Sequence, residues 1–279
     1  MARGSLFAAY SANFGAVFLD QYGVLHDGAR PYPGAIEALQ TLRTRKARVV
    51  ILSNSGRSGD HNAQRMARLG IARSLYDHFV TSGDVARAAL LREDSPLRLS
   101  SKTRCMTLAS ADSHALSKSL GLAATQDAAE ADLLVIGGSQ AGRISLDDYE
   151  RLIAPAAARG VPCVCTNPDK MMLTPGGIHP GAGAIAERYE RLGGRVHWIG
   201  KPYAGIYEAA ALLAGSPAPH EVLCVGDSVE HDIVGAHRFG AAAALVRTGI
   251  LAGLSESELA AECARHAAVP DIVLRDLAV

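Results

Sequence analysis

The sequence has no excess charge of either sign and no long apolar run, and both absences limit what the protein binds. Lysine and arginine number 28, as do aspartate and glutamate, so the formal net charge is +0. No basic run interrupts this balance, so nothing indicates nucleic acid or an anionic membrane surface as a partner. No apolar run reaches the roughly 20 residues of a membrane-spanning helix. A charged ligand would therefore have to be bound by a few charged side chains at its own site, since the protein has no overall excess of charge.

The sequence also lacks a cysteine framework. Its five cysteines are scattered through apolar, strand-like stretches: Cys105, Cys163, Cys165, Cys224 and Cys263. Cys163 and Cys165 alternate along one predicted strand, so they face opposite sides and cannot share a metal ion. We interpret all five as small buried hydrophobic residues in a reducing cytoplasm. The first residues have neither a clear basic region nor a long apolar core, so no signal peptide is expected.

A length of 279 residues is enough for one large domain or two modest ones. Apolar strand-like stretches alternate with amphipathic helix-like stretches along the chain. Strands are expected in "GAVFLD", "ARVVILSNSG" and "EVLCVG", and a helix in "PGAIEALQTLRTRK". Continuous apolar strands are typical of parallel sheets that are covered on both faces. The pattern therefore predicts an α/β protein with a Rossmann-like parallel sheet.

A middle block of the chain has a strand and helix pattern of its own. Three strands are expected in "CMTLAS", "DLLVIGG" and "PCVCTNPD", and three helices in "DSHALSKSLG", "SLDDYERLIAPAAARG" and "GAGAIAERYERLGG". The pattern predicts a core domain over residues 1–83 and 196–279. A smaller α/β domain over residues 84–195 is predicted to be inserted into it.

Polar side chains follow four of the predicted strands. Asp20 ends "VFLD", Ser53 and Asn54 end "ILSN", Lys201 follows "HWIG", and Asp227 follows "LCVG". Parallel α/β sheets place ligand sites along the carboxyl edge of their strands, so we expect these residues to converge. A serine hydroxyl and the backbone N–H of the next residue are donors that suit the oxygens of an anion such as phosphate.

The charged members of this set have the chemistry that phosphoryl transfer requires. A carboxylate such as Asp20 can attack phosphorus and form an aspartyl-phosphate. Charge on the nonbridging oxygens must then be neutralised. Asp227 suits a Mg²⁺ ion, which takes carboxylates, carbonyls and water, and Asp232 is spaced to hold a metal-bound water. Lys201 would stabilise the carboxylate and the phosphate together.

These four stretches resemble the four motifs of the haloacid dehalogenase (HAD) superfamily. They read "FLDQYGVLHDG", "ILSNSGRS", "IGKPYAGIY" and "VGDSVEHDIVGA", in the family's order. The insertion between the second and third motifs carries "TNPD" and "HPGAGAIA", which is similar to the cap domain of the class IIA branch. The resemblance covers nearly the whole chain. It implies a HAD-like core with an inserted cap, and the hydrolysis of a small phosphorylated metabolite with Mg²⁺ as the cofactor.

The resemblance also assigns roles residue by residue. It implies that Asp20 is both the nucleophile and a metal ligand. The other implied metal-site residues are the main-chain carbonyl of Tyr22, Asp227 and, in a supporting role, Asp232. The implied phosphate-binding residues are Ser53, Asn54 and Lys201, and those implied for contact with the rest of the substrate are Asn167 and Asp169. Relatives often dimerise through the cap, so the resemblance is compatible with a homodimer without deciding the matter.

Tyr22 departs from the family's pattern. Phosphatases of this family carry an aspartate there, which protonates the leaving alkoxide and then activates water. General acid–base catalysis contributes roughly 10²–10⁴-fold. A phenol with an ordinary pKa of about 10 is a poor replacement. Asp27, in the following turn, is the alternative proton donor, although a solvated turn residue is the simpler interpretation.

Two alternatives to a phosphatase remain open at this point. Haloacid dehalogenases carry tyrosine at the position of Tyr22, attack carbon and need no metal, because halide leaves without a proton. Asp227 opposes that interpretation, since halide displacement has no use for a metal ligand, and the insertion lies in a different interval from theirs. The second alternative is a protein that binds phosphorylated ligands but whose catalysis is weakened. Retention of Asp20, Lys201 and Asp227 opposes it.

Overall fold

The computed structural model describes residues 6–110, 115–140, 142–174 and 177–278, and the chain divides into two units. The first unit comprises Met1–Ser53, Gly59–Val80 and Lys201–Val279. The second unit comprises Asn54–Ser58 and Thr81–Gly200. The sequence predicted the insertion over residues 84–195. The second unit therefore extends a few residues further at each end and also takes in the short segment that follows Ser53.

Strands and helices alternate through most of the described residues. The strands are β1 (Ala16–Asp20), β2 (Arg48–Ser53), β3 (His78–Thr81), β4 (Arg104–Leu108), β5 (Ala123–Thr125), β6 (Leu133–Ile136), β7 (Cys163–Cys165), β8 (Met171–Thr174), β9 (Gly177–Pro180), β10 (Val196–Trp198), β11 (Val222–Gly226), β12 (Ala242–Val246) and β13 (Ile272–Leu274). The α-helices are α1 (Leu6–Ser11), α2 (Ala35–Thr44), α3 (Gly59–Arg68), α4 (Ser82–Leu91), α5 (Ala115–Ser119), α6 (Leu146–Ala158), α7 (Ala182–Arg191), α8 (Ala204–Leu213), α9 (Val234–Phe239) and α10 (Glu256–Arg265).

The first unit is built on a six-stranded sheet in the order β13-β12-β11-β1-β2-β3. Strand β1 pairs in parallel with β2 and β11, and its Leu19 lies opposite Ile51 on one side and Val225 on the other. These apolar side chains are buried and pack with Leu39 and Leu42 of α2 in one core cluster. Because the three strands are in register, the residues just beyond them emerge together at one edge of the sheet.

The second unit has its own five-stranded sheet in the order β10-β7-β6-β4-β5, whose neighbouring strands pair in parallel. Helices α6 and α7 pack against it through Ile153 and Ile185, which are fully buried. Strands β8 and β9 form a separate antiparallel hairpin. All five cysteines are free and buried. No helix of the described residues has the length and apolar character to span a membrane.

The predicted α/β class with Rossmann-like parallel sheets is confirmed. One predicted strand lies in the wrong domain, since "HWIG" falls within the predicted bounds of the core domain. Val196–Trp198 instead pairs with Cys163–Cys165 in the sheet of the second unit. Lys201 therefore follows a strand of the other sheet and lies in the turn that leads into α8. Part of the predicted helix over residues 112–121 falls at 112–114, outside the described residues, and α5 occupies the rest of it.

Candidate active site

Strand β1 ends at Asp20, and a tight turn begins at once. The N–H groups of Leu25 and His26 both donate to the carbonyl oxygen of Gln21, at 2.9 and 3.1 Å. Gly23 adopts φ 91° within this turn, a left-handed conformation that glycine adopts without steric cost. The buried strand thus fixes Asp20 at the sheet edge, and the turn reverses the chain immediately behind it.

Lys201 links two carboxylates in the interior of the first unit. Its Nζ lies 3.0 Å from Oδ1 of Asp20 and 2.7 Å from Oδ1 of Asp232. The lysine side chain is only 3% exposed, so the ammonium depends on these partners to offset its lost hydration. The ion pairs join residues that are remote in sequence, and they hold the cation beside Asp20.

Asp232 lies in a π-helical turn, Val229–Ile233, that follows β11. One of its oxygens accepts from Lys201, and the other accepts the backbone N–H of Ser228 at 3.1 Å. Gly226 leaves room for this carboxylate, since a methyl group at that position would overlap its carbon and oxygen atoms. The sequence assigned Asp232 a supporting place at a metal site. In the structure its hydrogen bonds orient Lys201.

Asp227 occupies a cradle made by two glycines. Its Oδ2 accepts the backbone N–H of Ile250 at 2.8 Å. A methyl group on either Gly23 or Gly249 would overlap this oxygen. Thr248 donates its hydroxyl proton to the carbonyl oxygen of Gly23 at 2.6 Å, which ties the loop after β12 to the turn after β1. The loop over residues 247–250 therefore sets the position of Asp227.

Substituting Gly249 with alanine should displace Asp227 and destabilise the protein. We expect a loss of about 2 kcal/mol or more in the free energy of unfolding, because the new methyl group would compete with a held carboxylate. Gly253 lies shortly after this loop with no atom within 4 Å of its Cβ position, so Gly253→Ala is the matched control. Denaturant unfolding of both variants checks the difference. Equal stability of the two variants would show that Gly249 is not needed to hold Asp227 in place.

Asp20, Asp227 and Asp232 each place a carboxylate oxygen within 4.8 Å of the others. Burial raises the pKa of Asp20 well above its ordinary value, Lys201 opposes this rise, and Asp232 and Asp227 add to it. The three carboxylates thus offer hard oxygen donors close enough together to hold one metal ion, and such donors are those that Mg²⁺ prefers.

Ser53 closes β2 and is 4% exposed. Its Oγ accepts a hydrogen bond of 2.6 Å from Nε2 of Gln21. The same amide nitrogen also donates to Oδ1 of Asn62, on α3, at 3.2 Å. Asp20 receives the backbone N–H of Gln21 on its Oδ1 at 2.7 Å. Gln21 thus contacts both Ser53 and Asp20.

Tyr22 packs in the turn after Asp20, with its ring edge-on to that of His26 at a centroid distance of 5.7 Å. Burial raises the pKa of the phenol, and the nearby Asp27 raises it further. The pKa of His26 is lowered to about 4, chiefly by burial. Oδ1 of Asp27 accepts the N–H groups of Ala29 and Arg30, both at 2.8 Å. These hydrogen bonds lower the pKa of Asp27.

The remaining predicted residues lie in the second unit. The side-chain amide of Asn54 donates to Oδ1 of Asp169 at 2.8 Å. Oδ1 of Asn167 accepts the backbone N–H of Asp169 at 3.1 Å, which closes a turn directly after β7. Gly181 and Gly183 pack against the backbone of this turn, where a side chain would overlap carbonyl oxygens. The second unit therefore holds Asn54, Asn167 and Asp169 in one local network.

Three residues of the site were not identified from the sequence. They are Gln21, Thr248 and Gly249. Gly249 comes shortly after the continuous apolar stretch of residues 241–246, so its position near the end of a strand was a usable signal. Gln21 gave no comparable signal, because a glutamine after a buried strand is an ordinary turn residue until its partner Ser53 is known.

Comparison with known proteins assigns the chain to a family. A family model described as haloacid dehalogenase-like hydrolase matches residues 17–123, and a HAD-hydrolase-like model matches residues 198–279. Sugar-phosphatase AraL of Bacillus subtilis is 30% identical over 241 residues, covering 84% of this chain and 83% of that protein. Human Chronophin is 28% identical over 274 residues, covering 94% and 90%. The chain belongs to the haloacid dehalogenase-like hydrolases, in their class IIA branch, and is an enzyme.

Solved structures agree with this assignment. A glycerol phosphate phosphatase of Mycobacterium tuberculosis, crystallised in complex with magnesium, aligns with a TM-score of 0.71 at 25% sequence identity. The alignment covers 96% of this chain and 77% of that one. The superfamily that the four sequence motifs resemble is therefore confirmed by sequence and by fold.

Proposed function

We propose that the protein is a Mg²⁺-dependent phosphatase that hydrolyses a small phosphomonoester through an aspartyl-phosphate on Asp20. The observation that carries the proposal is the buried cluster in which Lys201 contacts both Asp20 and Asp232 while Asp227 supplies a third carboxylate. A carboxylate nucleophile beside a cation site and an ammonium is the arrangement that phosphoryl transfer requires. The phosphatase names of the relatives support the same reaction.

The donor set fits a divalent cation. Asp20, Asp227 and the main-chain carbonyl of Tyr22 would hold it directly. Asp232 would act through water, since its two oxygens already accept from Lys201 and Ser228. When bound, Mg²⁺ would neutralise the carboxylates and the nonbridging phosphate oxygens. The magnesium in the related phosphatase structure supports this choice of ion.

Asp20 would attack phosphorus with Oδ2. Among the described residues, the hydrogen bonds to its carboxylate both go to Oδ1, from the Gln21 N–H and from Lys201. The bond from Oδ2 to phosphorus forms as the bond to the leaving alkoxide breaks. Water then attacks phosphorus, releases inorganic phosphate and regenerates the carboxylate. Lys201 would stabilise the phosphate, and the Ser53 hydroxyl and the Asn54 backbone N–H would donate to its oxygens.

Tyr22 would make this reaction slow on alkyl phosphates. A phenol whose pKa is raised by burial is a weak acid, and its anion is scarcely populated near neutral pH. Asp27 is a poor substitute, because two backbone hydrogen bonds favour its ionised form. The enzyme would therefore favour substrates whose leaving group needs no proton. The aspartyl-phosphate would accumulate when water is poorly activated.

The second unit would act as the cap domain that selects the substrate. Asn167 and Asp169 are the residues that we assign to substrate contact, and the network that links Asp169 to Asn54 supports a fixed arrangement of this turn. The substrate class is a small phosphorylated metabolite. Five buried free thiols support a reducing cytoplasm as the compartment. A homodimer is compatible with the family resemblance.

A metal-dependence assay over a panel of phosphomonoesters, with chloroacetate as a separate substrate, tests the proposal. We expect phosphate release with Mg²⁺ and none after the metal is chelated. Asp20→Asn should abolish release, whereas Asp60→Asn, at an exposed position of α3, should not change it.

The other candidate functions give different results in the same assay. Metal-independent halide release from chloroacetate would identify a dehalogenase. Tyr22 is the residue that supports this alternative. Binding of inorganic phosphate without turnover of any substrate would identify a protein with weakened catalysis. Either result would overturn the proposal that the protein is a phosphatase.

A further inference from the structure

Gln21 makes side-chain hydrogen bonds that its place beside the nucleophile does not require. It is 7% exposed, and its amide lies between Ser53 of β2 and Asn62 of α3. Both contacts are donated by the amide nitrogen, at 2.6 Å to the Ser53 hydroxyl oxygen and at 3.2 Å to the Asn62 side-chain oxygen. Asn62 is itself 3% exposed. These hydrogen bonds therefore form almost out of contact with water. In such an environment a hydrogen bond is strong, and it is costly to leave a donor or an acceptor without its partner.

The direction of the bond decides what Ser53 can offer a ligand. A hydroxyl has one proton and two lone pairs. Gln21 occupies a lone pair of the Ser53 oxygen, and among the described residues the Ser53 hydroxyl donates its proton to none. The proton is therefore available to an incoming acceptor. Phosphate oxygens are acceptors, so this orientation suits an anionic phosphate ester.

We infer that Gln21 is a positioning residue that sets Ser53 as a hydrogen-bond donor to the phosphate group. The inference rests on the proposed function, because it takes phosphate as the ligand of Ser53. An acceptor at position 21 would reverse the bond. Ser53 would then donate its proton to residue 21 and present only lone pairs to the phosphate. Gln21 thus contributes to selection of a phosphorylated ligand without touching it.

A double-mutant cycle between Gln21 and Ser53 tests the inference. The probe is inorganic phosphate, titrated calorimetrically into the full-length protein in saturating Mg²⁺. Ser53→Ala should weaken phosphate binding about tenfold or more, since hydrogen bonds to charged groups are worth about 1.5–3 kcal/mol. Gln21→Met, which keeps the length but removes the donor, should weaken binding by a smaller factor of about threefold to tenfold. In the Ser53→Ala background, Gln21→Met should have no further effect.

Gln21→Glu replaces the amide donor at position 21 with an acceptor and also adds a negative charge. Comparing its effect with and without the Ser53 hydroxyl separates these two changes. In the parent protein it should weaken phosphate binding more than Gln21→Met does. In the Ser53→Ala background only the part due to the negative charge should remain. Gln40→Met, at an exposed position of α2, should bind phosphate as the parent does, and all variants should keep their Mg²⁺ affinity within severalfold except Gln21→Glu.

The possible failures are distinguishable. If Ser53→Ala leaves phosphate affinity unchanged, the phosphate-binding role of Ser53 is wrong, and the inference falls with it. If Ser53→Ala weakens binding but Gln21→Met is neutral, or is equally harmful in both backgrounds, the role of Gln21 alone is overturned and the proposed function stands. A kinetic comparison gives a second reading, since Gln21→Met should raise KM for a phosphomonoester more than it lowers kcat.

Discussion

Tyr22→Asp should raise the turnover of unactivated alkyl phosphates by about 10²–10⁴-fold, the usual contribution of general acid–base catalysis. The substitution returns a carboxyl group to the position from which the leaving alkoxide takes its proton, and it keeps the backbone carbonyl assigned to the metal. The gain should be much smaller on p-nitrophenyl phosphate, whose leaving group needs little protonation. Initial rates on both substrate classes measure the effect. Rapid-quench labelling should show less accumulated aspartyl-phosphate than in the parent enzyme.

Tyr22→Phe is the matched control for this gain. It keeps the ring that packs beside His26 and removes only the hydroxyl. If the phenol takes no part in proton transfer, slow turnover should persist with the same preference for good leaving groups. Loss of turnover in Tyr22→Phe would show that the phenol is itself the proton donor. No gain in Tyr22→Asp, with Mg²⁺ affinity intact, would also refute our account of this position.

Lys201→Met should strongly destabilise the metal-free protein. The substitution removes a buried ammonium and leaves Asp20 and Asp232 without their shared cation. Removing one partner of a buried ion pair costs about 3–5 kcal/mol, because the other charge stays buried without compensation. Denaturant unfolding in a chelator measures this loss. Asp227→Asn provides the contrast. It relieves repulsion in the cluster and retains an acceptor for the Ile250 N–H, so the metal-free variant should be at least as stable as the parent.

The loss of stability caused by Lys201→Met should increase as the pH rises. Burial raises the pKa of Asp20 in the folded protein, and removing Lys201 raises it further. A carboxyl whose folded pKa exceeds its unfolded value loses its proton more readily in the unfolded state. Its contribution to stability is complete below the unfolded pKa of about 4 and declines as pH rises through the folded value. The deficit should therefore be larger at pH 8 than at pH 5. A deficit independent of pH would contradict this electrostatic explanation.

The periodic parts of the fold could be predicted from the sequence, whereas the short and exposed parts could not. Strand β1 and helix α2 have continuous or helically spaced apolar residues that pack in one core, so their patterns were unambiguous. The hairpin of β8 and β9 has Met171 and Ile178 more than half exposed, so burial imposes no apolar pattern on it. Strand β10 was predicted as a strand but assigned to the wrong sheet. Three residues of sequence do not specify a pairing partner, and long-range register decides it.

The candidate site divides in the same way. Asp20 and Asp227 were identifiable because each directly follows an apolar strand of a parallel sheet, and such strand ends meet at one edge. Gln21 was not identifiable, because its role depends on a hydrogen bond to Ser53 across two neighbouring strands. The predicted place of Asp232 at a metal site did not include its ion pair with Lys201, which joins residues that only the folded chain brings together.

By itself, the sequence determined the α/β class and the residue types at the strand ends, because these follow from local periodicity and from side-chain chemistry. The departure at Tyr22 was also visible in the sequence, by comparison with the motif of the family that it resembles. The tertiary structure decided which oxygen atoms and protons face each other. Lys201, which follows a strand of the other sheet, forms an ion pair with Asp20. Gly249, in the loop after β12, leaves room for the Asp227 carboxylate, and the amide of Gln21 donates to Oγ of Ser53. Each of these depends on distances of about 3 Å between segments far apart in the chain, which no local pattern encodes.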